Sequence, residues 1–150
     1  MTQQVNKTII VEGEPTTIYD IWANFKNFPH FMDYIKSVEI QDDGSSEWIM
    51  AGPAGMEISW QAEITRAERP RRLAWSSKDK EGTVTTSGQI TFGELEGGQT
   101  EISALVSYSV PAGALGEAAA KLFADPATRL ERDLRNFKEF VEKGVYERVN

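Results

Sequence analysis

From Met56 to Thr65 the chain alternates without a break. Met56, Ile58, Trp60, Ala62 and Ile64 are apolar, and Glu57, Ser59, Gln61, Glu63 and Thr65 are polar. In an extended strand successive side chains point to opposite faces, so a period of two predicts one buried and one wet face. The period returns downstream. Val84, Ile90 and Phe92 alternate with Thr83, Thr85, Gln89 and Thr91; Ile102, Ala104, Val106, Tyr108 and Val110 alternate with Ser103, Leu105, Ser107 and Ser109. Shorter β-rich runs over 5–11, 37–41, 47–51 and 73–77 read as further strands. Between them stand turn signals: Asp42-Asp43-Gly44, Gly52-Pro53-Ala54-Gly55, Arg69-Pro70-Arg71, residues 79–82 and Glu96-Gly97-Gly98. Turns this short favour an antiparallel meander.

Two stretches carry a helical period instead. Pro15 suits a first helical turn, and Ile18, Tyr19, Ile21, Trp22 and Phe25 follow on one face. A second short helix is read over Asn27 to Ile35, with Phe28, Phe31, Met32 and Ile35 together and Pro29 in the first turn. From Ala112 the period is helical again. Leu115, Ala119, Leu122 and Phe123 form one stripe; Leu130, Leu134, Phe137 and Val141 form the next. Asp125-Pro126 predicts a kink with a new N-cap, and Gly144 predicts the stop. No linker or repeat divides residues 1–150, so one domain is expected. An antiparallel sheet with one apolar face needs a cover, and the long C-terminal helix is the one element large enough.

Composition removes several chemistries. Sixteen Lys and Arg against 23 Asp and Glu give a net charge of −7, which disfavours nucleic acid as a partner. Cysteine is absent and histidine occurs once. Disulfides, thiolate nucleophiles and Cys- or multi-His metal sites are thereby excluded within the chain, and neither metal nor cofactor is expected. Residues Met1 to Lys7 are polar, and Ile9-Ile10-Val11 is far short of the ~18 apolar residues of a membrane span. No integral membrane segment and a cytoplasmic location are therefore expected.

The pattern resembles the START / polyketide cyclase–dehydrase superfamily, in its coenzyme-Q-binding and cyclase-like branch. The resemblance runs from Val5 to Gly144. It is carried by Ile9-Ile10-Val11-Glu12-Gly13 through Ile21-Trp22, by Phe28-Pro29-His30-Phe31-Met32, and by Ser37-Val38-Glu39. Trp48, Gly52-Pro53-Ala54-Gly55, Arg69-Pro70 with Leu73-Ala74-Trp75-Ser76, Gly97 to Glu101 and Asp133 to Lys138 complete it. It implies an α+β helix-grip fold, shared with the birch pollen allergen: a curved antiparallel sheet of about seven strands around a C-terminal helix kinked near Pro126. Members include lipid and quinone carriers, aromatase/cyclases and hormone receptors, so shape alone does not set the function.

That architecture implies a cavity between sheet and helix, where the aromatic residues converge. The expected lining is Phe28, Phe31 and Met32 from the second short helix; Trp48, Met50, Met56, Trp60, Trp75, Phe92, Val106 and Tyr108 from the strands; and Leu122 and Phe123 from the C-terminal helix. Each residue alone would serve equally as core. Tyr108 is the first candidate to bind a ligand hydroxyl or carbonyl, a buried structural hydrogen bond being the other use of its tip. His30 is expected at the rim, as an acid or base or as an ordinary surface side chain. Arg66, Arg69, Arg71 and Arg72 read as a solvated turn. Glu57 and Glu63, six residues apart on one strand, are too distant for a carboxylate pair. The glycine turns lack a following helix N-terminus and are not phosphate loops.

The leading expectation is a carrier or binding protein for a small hydrophobic molecule: a lipid, a quinone or a polyketide-like compound. The alternative is a cyclase or dehydratase that folds its substrate by shape, with Tyr108 or His30 moving protons. A third is an interaction module, as a homodimer, using an apolar rim near Phe28, Phe31 and Ala112 to Leu115.

Overall fold

The computed structural model describes residues 2–52, 55–78, 85–109 and 125–149. Seven strands form one curled antiparallel sheet: β1 (Thr2–Glu12), β2 (Ile35–Ile40), β3 (Ser46–Ala51), β4 (Glu57–Glu68), β5 (Arg72–Ser77), β6 (Thr85–Leu95) and β7 (Gln99–Ser109). The order β1-β7-β6-β5-β4-β3-β2 is a meander from β2 to β7, closed by β1 beside β7. Helix α1 (Pro15–Ala23) and a 3-10 helix (Phe25–His30) carry the chain from β1 to the opposite edge at β2. Helix α2 (Pro126–Glu142) and the short α3 (Val145–Val149) end the chain. This is the helix-grip arrangement.

The alternating rows face as their period dictates. Ile58, Trp60 and Ala62 of β4 are buried, as are Leu73 and Trp75 of β5, Ile90 and Phe92 of β6, and Ile102 and Ala104 of β7. The row of β4 is shorter than expected at both ends. Met56 lies in the β3–β4 turn, which closes when the Gly52 N–H donates to the Met56 carbonyl (2.7 Å), so no pleat aims it inward. Its side chain is exposed. Ile64 is exposed as well, because the β4–β5 register shifts between Ile64 and Arg66. A bulge of this kind breaks the alternation.

The second short helix also differs from expectation. Residues 25–30 form a 3-10 helix, and Ile35 already belongs to β2. Phe25, Phe28 and Phe31 stand three residues apart, the repeat that lines up side chains in a 3-10 helix. All three are buried. Helix α2 starts at Pro126 under the Asp125 cap, whose Oδ1 accepts from the Thr128 N–H (3.3 Å). Its stripe Leu130, Leu134, Phe137 and Val141 is buried, with Phe140 beside it. The expected helical stripe from Leu115 to Phe123 lies outside the described residues.

Helix α1 fills one end of the concave face. Its Tyr19 ring meets Phe92 of β6 edge-on at 5.4 Å. Trp22 packs among Phe28, Phe31 and Phe137, at 5.8, 5.4 and 4.7 Å. Aromatic rings in such tilted and edge-to-face contacts gain beyond their buried area. A bidentate pair from Arg69 in the β4–β5 turn to Asp20 of α1, 2.7 Å at both oxygens, ties this plug to the sheet. No described helix is long and apolar enough to cross a membrane.

Candidate ligand-binding cavity

The plug leaves the other end of the concave face open. There the sheet and α2 enclose a cavity of about 120 Å³. Every strand contributes from the same end: Val5 near the start of β1, Ile35 at the start of β2, Trp48 and Met50 of β3, Trp60 of β4 and Trp75 of β5. Thr86 and Ser87 begin β6, and Val106 and Tyr108 end β7. The first two turns of α2 close the side with Pro126, Arg129, Leu130 and Asp133, and Met32 and Tyr34 lie ahead of β2.

Three tryptophans make one wall. Trp48 stacks on Trp60 at 5.8 Å with 28° between planes, and on Trp75 at 6.0 Å with 25°. Phe25 and Phe28 hold this slab from the plug side, edge-on to Trp48 at 5.6 and 5.0 Å. The polar atoms in the wall differ in their partners. The Trp48 Nε1–H donates to Ser46 Oγ (2.8 Å), which reaches the Ala62 carbonyl (3.4 Å). The Trp60 Nε1–H and the Thr86 hydroxyl are buried with no partner among the described residues. A buried polar group without a hydrogen bond costs free energy, and such groups call for an explanation. Trp22 Nε1 is also unpartnered, but it lies in the plug among aromatic rings.

The α2 side is charged. The Arg129 guanidinium sits 4.1 Å over the Tyr34 ring, a cation–π contact. Asp133 is partly buried one helical turn later, and its carboxyl is pushed up to about 7. Burial is the main cause and the charge of Asp33 adds to it; Arg129, Arg132 and the Asp33 N–H oppose it without prevailing. Burial also raises the Tyr108 hydroxyl, with Arg129 opposing.

Seven of the expected lining residues meet here: Met32, Trp48, Met50, Trp60, Trp75, Val106 and Tyr108. Four do not. Phe28 and Phe31 are in the plug, Phe92 is under α1, and Met56 is exposed in its turn. Leu122 and Phe123 lie outside the described residues. His30 is absent from the cavity rim. It stacks on Phe140 at 5.7 Å in a separate surface groove with Asp33 and Asn136. Because Phe28 and Phe31 are buried, they form no exposed rim for a partner, and Ala112 to Leu115 are outside the described residues. Thr86, Arg129 and Asp133 were not anticipated. A readable signal existed for two of them: Arg129 and Asp133 are spaced i, i+4 and each directly precedes a residue of the buried stripe, Leu130 and Leu134.

The family model described as polyketide cyclase / dehydrase and lipid transport matches residues 11–141. The chain belongs to this family. An uncharacterised 17.2 kDa protein of Streptomyces lincolnensis is 28% identical over 141 residues, 93% of this chain and 90% of the relative. A solved protein of Deinococcus radiodurans is 27% identical with a TM-score of 0.75, over 95% of this chain and 98% of that one. The Zhui aromatase/cyclase of a Streptomyces species superposes with a TM-score of 0.78 at 17% identity, covering 97% and 96%. At that identity the likeness is one of fold, and the fold is that of the START superfamily.

Proposed function

We propose that this member of the family binds a small apolar molecule in the cavity between sheet and α2 and carries it without changing it. One observation carries the reading: two buried donors, Trp60 Nε1–H and Thr86 Oγ1–H, stand without a partner among the described residues on the sheet side of a cavity whose lining is mainly apolar. Ligand sites are mostly apolar with a few placed polar groups, and a bound acceptor would satisfy what the protein leaves open. The family description, which includes lipid transport, supports the same reading. Native mass spectrometry of protein purified from its source tests it, together with uptake of lipids, quinones and fluorescent hydrophobes. A co-purified or acquired apolar ligand is expected. Failure to retain or acquire any would overturn the proposal.

A second reading is a cyclase or dehydratase, favoured by Asp133. A carboxyl that titrates at about 7 on a cavity wall is suited to give and take protons near neutrality. In this reading Asp133 and Tyr108 move protons while the tryptophan wall orients the substrate. Turnover of a poly-ketone chain that is lost in both Asp133→Asn and Tyr108→Phe would favour it; equal turnover in the variants and the native protein would remove it.

A further inference from the structure

Resting on that binding reading, we infer that the ligand is an uncharged planar compound, a single conjugated ring bearing a carbonyl, rather than a lipid chain or an organic acid. Shape and polarity point the same way. Trp60 and Trp75 each lie within 28° of the Trp48 plane, so the three indoles form a stacked aromatic wall on one side of the cavity. Flat π-systems stack on such a surface in offset or edge-on geometry, which a flexible alkyl chain cannot match. A space of about 120 Å³ is of single-ring size; a dry cavity of ~150 Å³ takes up benzene.

The unpartnered groups set the polarity. An indole N–H only donates, and a threonine hydroxyl can donate. The Trp60 N–H therefore asks for an acceptor on the ligand, and a ring carbonyl supplies one with lone pairs to spare. Both donors are neutral, so a neutral acceptor satisfies either of them without burying a charge against them. The cationic Arg129 guanidinium stands on the α2 side of the same cavity, 4.1 Å over the Tyr34 ring, and benzoate is the probe that reads whether it recruits an acid instead.

Five probes separate the terms: acetophenone, cyclohexyl methyl ketone, ethylbenzene, benzoate and decanoate. They are titrated into 15N-labelled protein while the four indole N–H signals are followed by NMR, the Trp60 signal being assigned by its loss in Trp60→Phe. Acetophenone is expected to move the Trp60 signal far more than the Trp48 signal, whose proton is already held by Ser46. It is expected to bind at least tenfold more tightly than the saturated ketone, ethylbenzene or benzoate. Trp60→Phe, which keeps a ring but loses the N–H, should weaken acetophenone about fivefold more than it weakens ethylbenzene, the worth of one neutral hydrogen bond. Thr86→Val, nearly isosteric, gives the same comparison should Trp60→Phe fail to fold. Equal binding of the saturated ketone, or tighter binding of benzoate, would overturn the inference. Decanoate binding without acetophenone binding would overturn it while leaving the apolar-ligand reading intact; no binding by any probe would sink both.

Discussion

Trp75 lies flat over Gly88, its register partner on the neighbouring strand. A Cβ at Gly88 would stand 2.4 Å from Trp75 Cζ2 and 2.7 Å from Cε2, so the indole occupies the volume that any larger residue would need. The glycine lets one ring of the cavity wall settle onto the sheet. Gly88→Ala is expected to force Trp75 off its position, costing about 1–3 kcal/mol as overpacking does. Urea unfolding measures this. In Gly88→Ala/Trp75→Leu the second change should recover part of the loss, a coupling that a double-mutant cycle reports. Additive losses would show that the close approach is not what holds the ring.

The two unpartnered groups make opposite demands on stability and binding. Thr86→Val removes a buried hydroxyl that has no partner among the described residues, and it keeps the backbone N–H that donates to Ser77 Oγ (2.8 Å). The variant should be as stable as the native protein or up to about 1 kcal/mol more stable. Ser46→Ala is the contrast, since it strands the buried Trp48 N–H that now donates to Ser46, and about 1–3 kcal/mol should be lost. Thermal unfolding of both variants reads the difference. A Thr86→Val variant as damaged as Ser46→Ala would mean that the hydroxyl has a structural task.

Period told which side chains are buried, and it told less about where on the concave face they go. Ile58, Trp60 and Ala62 were legible from alternation, and Leu130, Leu134, Phe137 and Val141 from the helical stripe. Phe92 and Trp75 obey the same rule on adjacent strands, yet one meets α1 and the other the cavity. Which end α1 plugs is a tertiary choice, made by its packing on Phe92 and by the Arg69–Asp20 pair from the distant β4–β5 turn. Phe28 and Phe31 follow the plug for the same reason. The raised carboxyl of Asp133 comes mainly from burial, to which the charge of Asp33, a hundred residues earlier, adds, and no local pattern encodes that meeting.

Helix α2 is clipped to the edge strand by a lysine. Lys138 Nζ donates to the Ile10 carbonyl and to Glu142 Oε2, both at 2.8 Å, and Glu142 Oε2 also accepts from the Glu12 N–H at 2.8 Å. β1 is an edge, so these contacts satisfy groups that no further strand pairs. Lys138→Met keeps most of the apolar stem and removes the donor. A loss of about 1 kcal/mol is expected, and hydrogen exchange should quicken at the Glu12 amide relative to the centre of β7. Unchanged exchange there would argue that the clip is not formed in solution.

Asp133 should make stability fall as pH rises through the weakly acidic range. Its folded-state value is about 7, raised from 3.8 by burial and by Asp33. Between those values the folded chain holds a proton that the unfolded chain has released, so unfolding releases protons and stability declines with rising pH. Below about pH 4 both states are protonated; above about pH 7 both are ionised and the decline ends. The shift corresponds to at most about 4 kcal/mol at 1.36 kcal/mol per unit. Other carboxylates slope the opposite way. Asp43, held down to about 2 by the Ser45 hydroxyl and N–H, gains stability as pH rises towards 4. The informative window is therefore pH 5 to 7.5, above that range. Asp133→Asn can still accept from the Asp33 N–H but carries no charge. It is expected to flatten the urea midpoint across that window and to exceed the native protein in stability at pH 8. Parallel pH profiles for the two proteins would place the titrating group elsewhere and would remove the proton-transfer role suggested for this carboxyl.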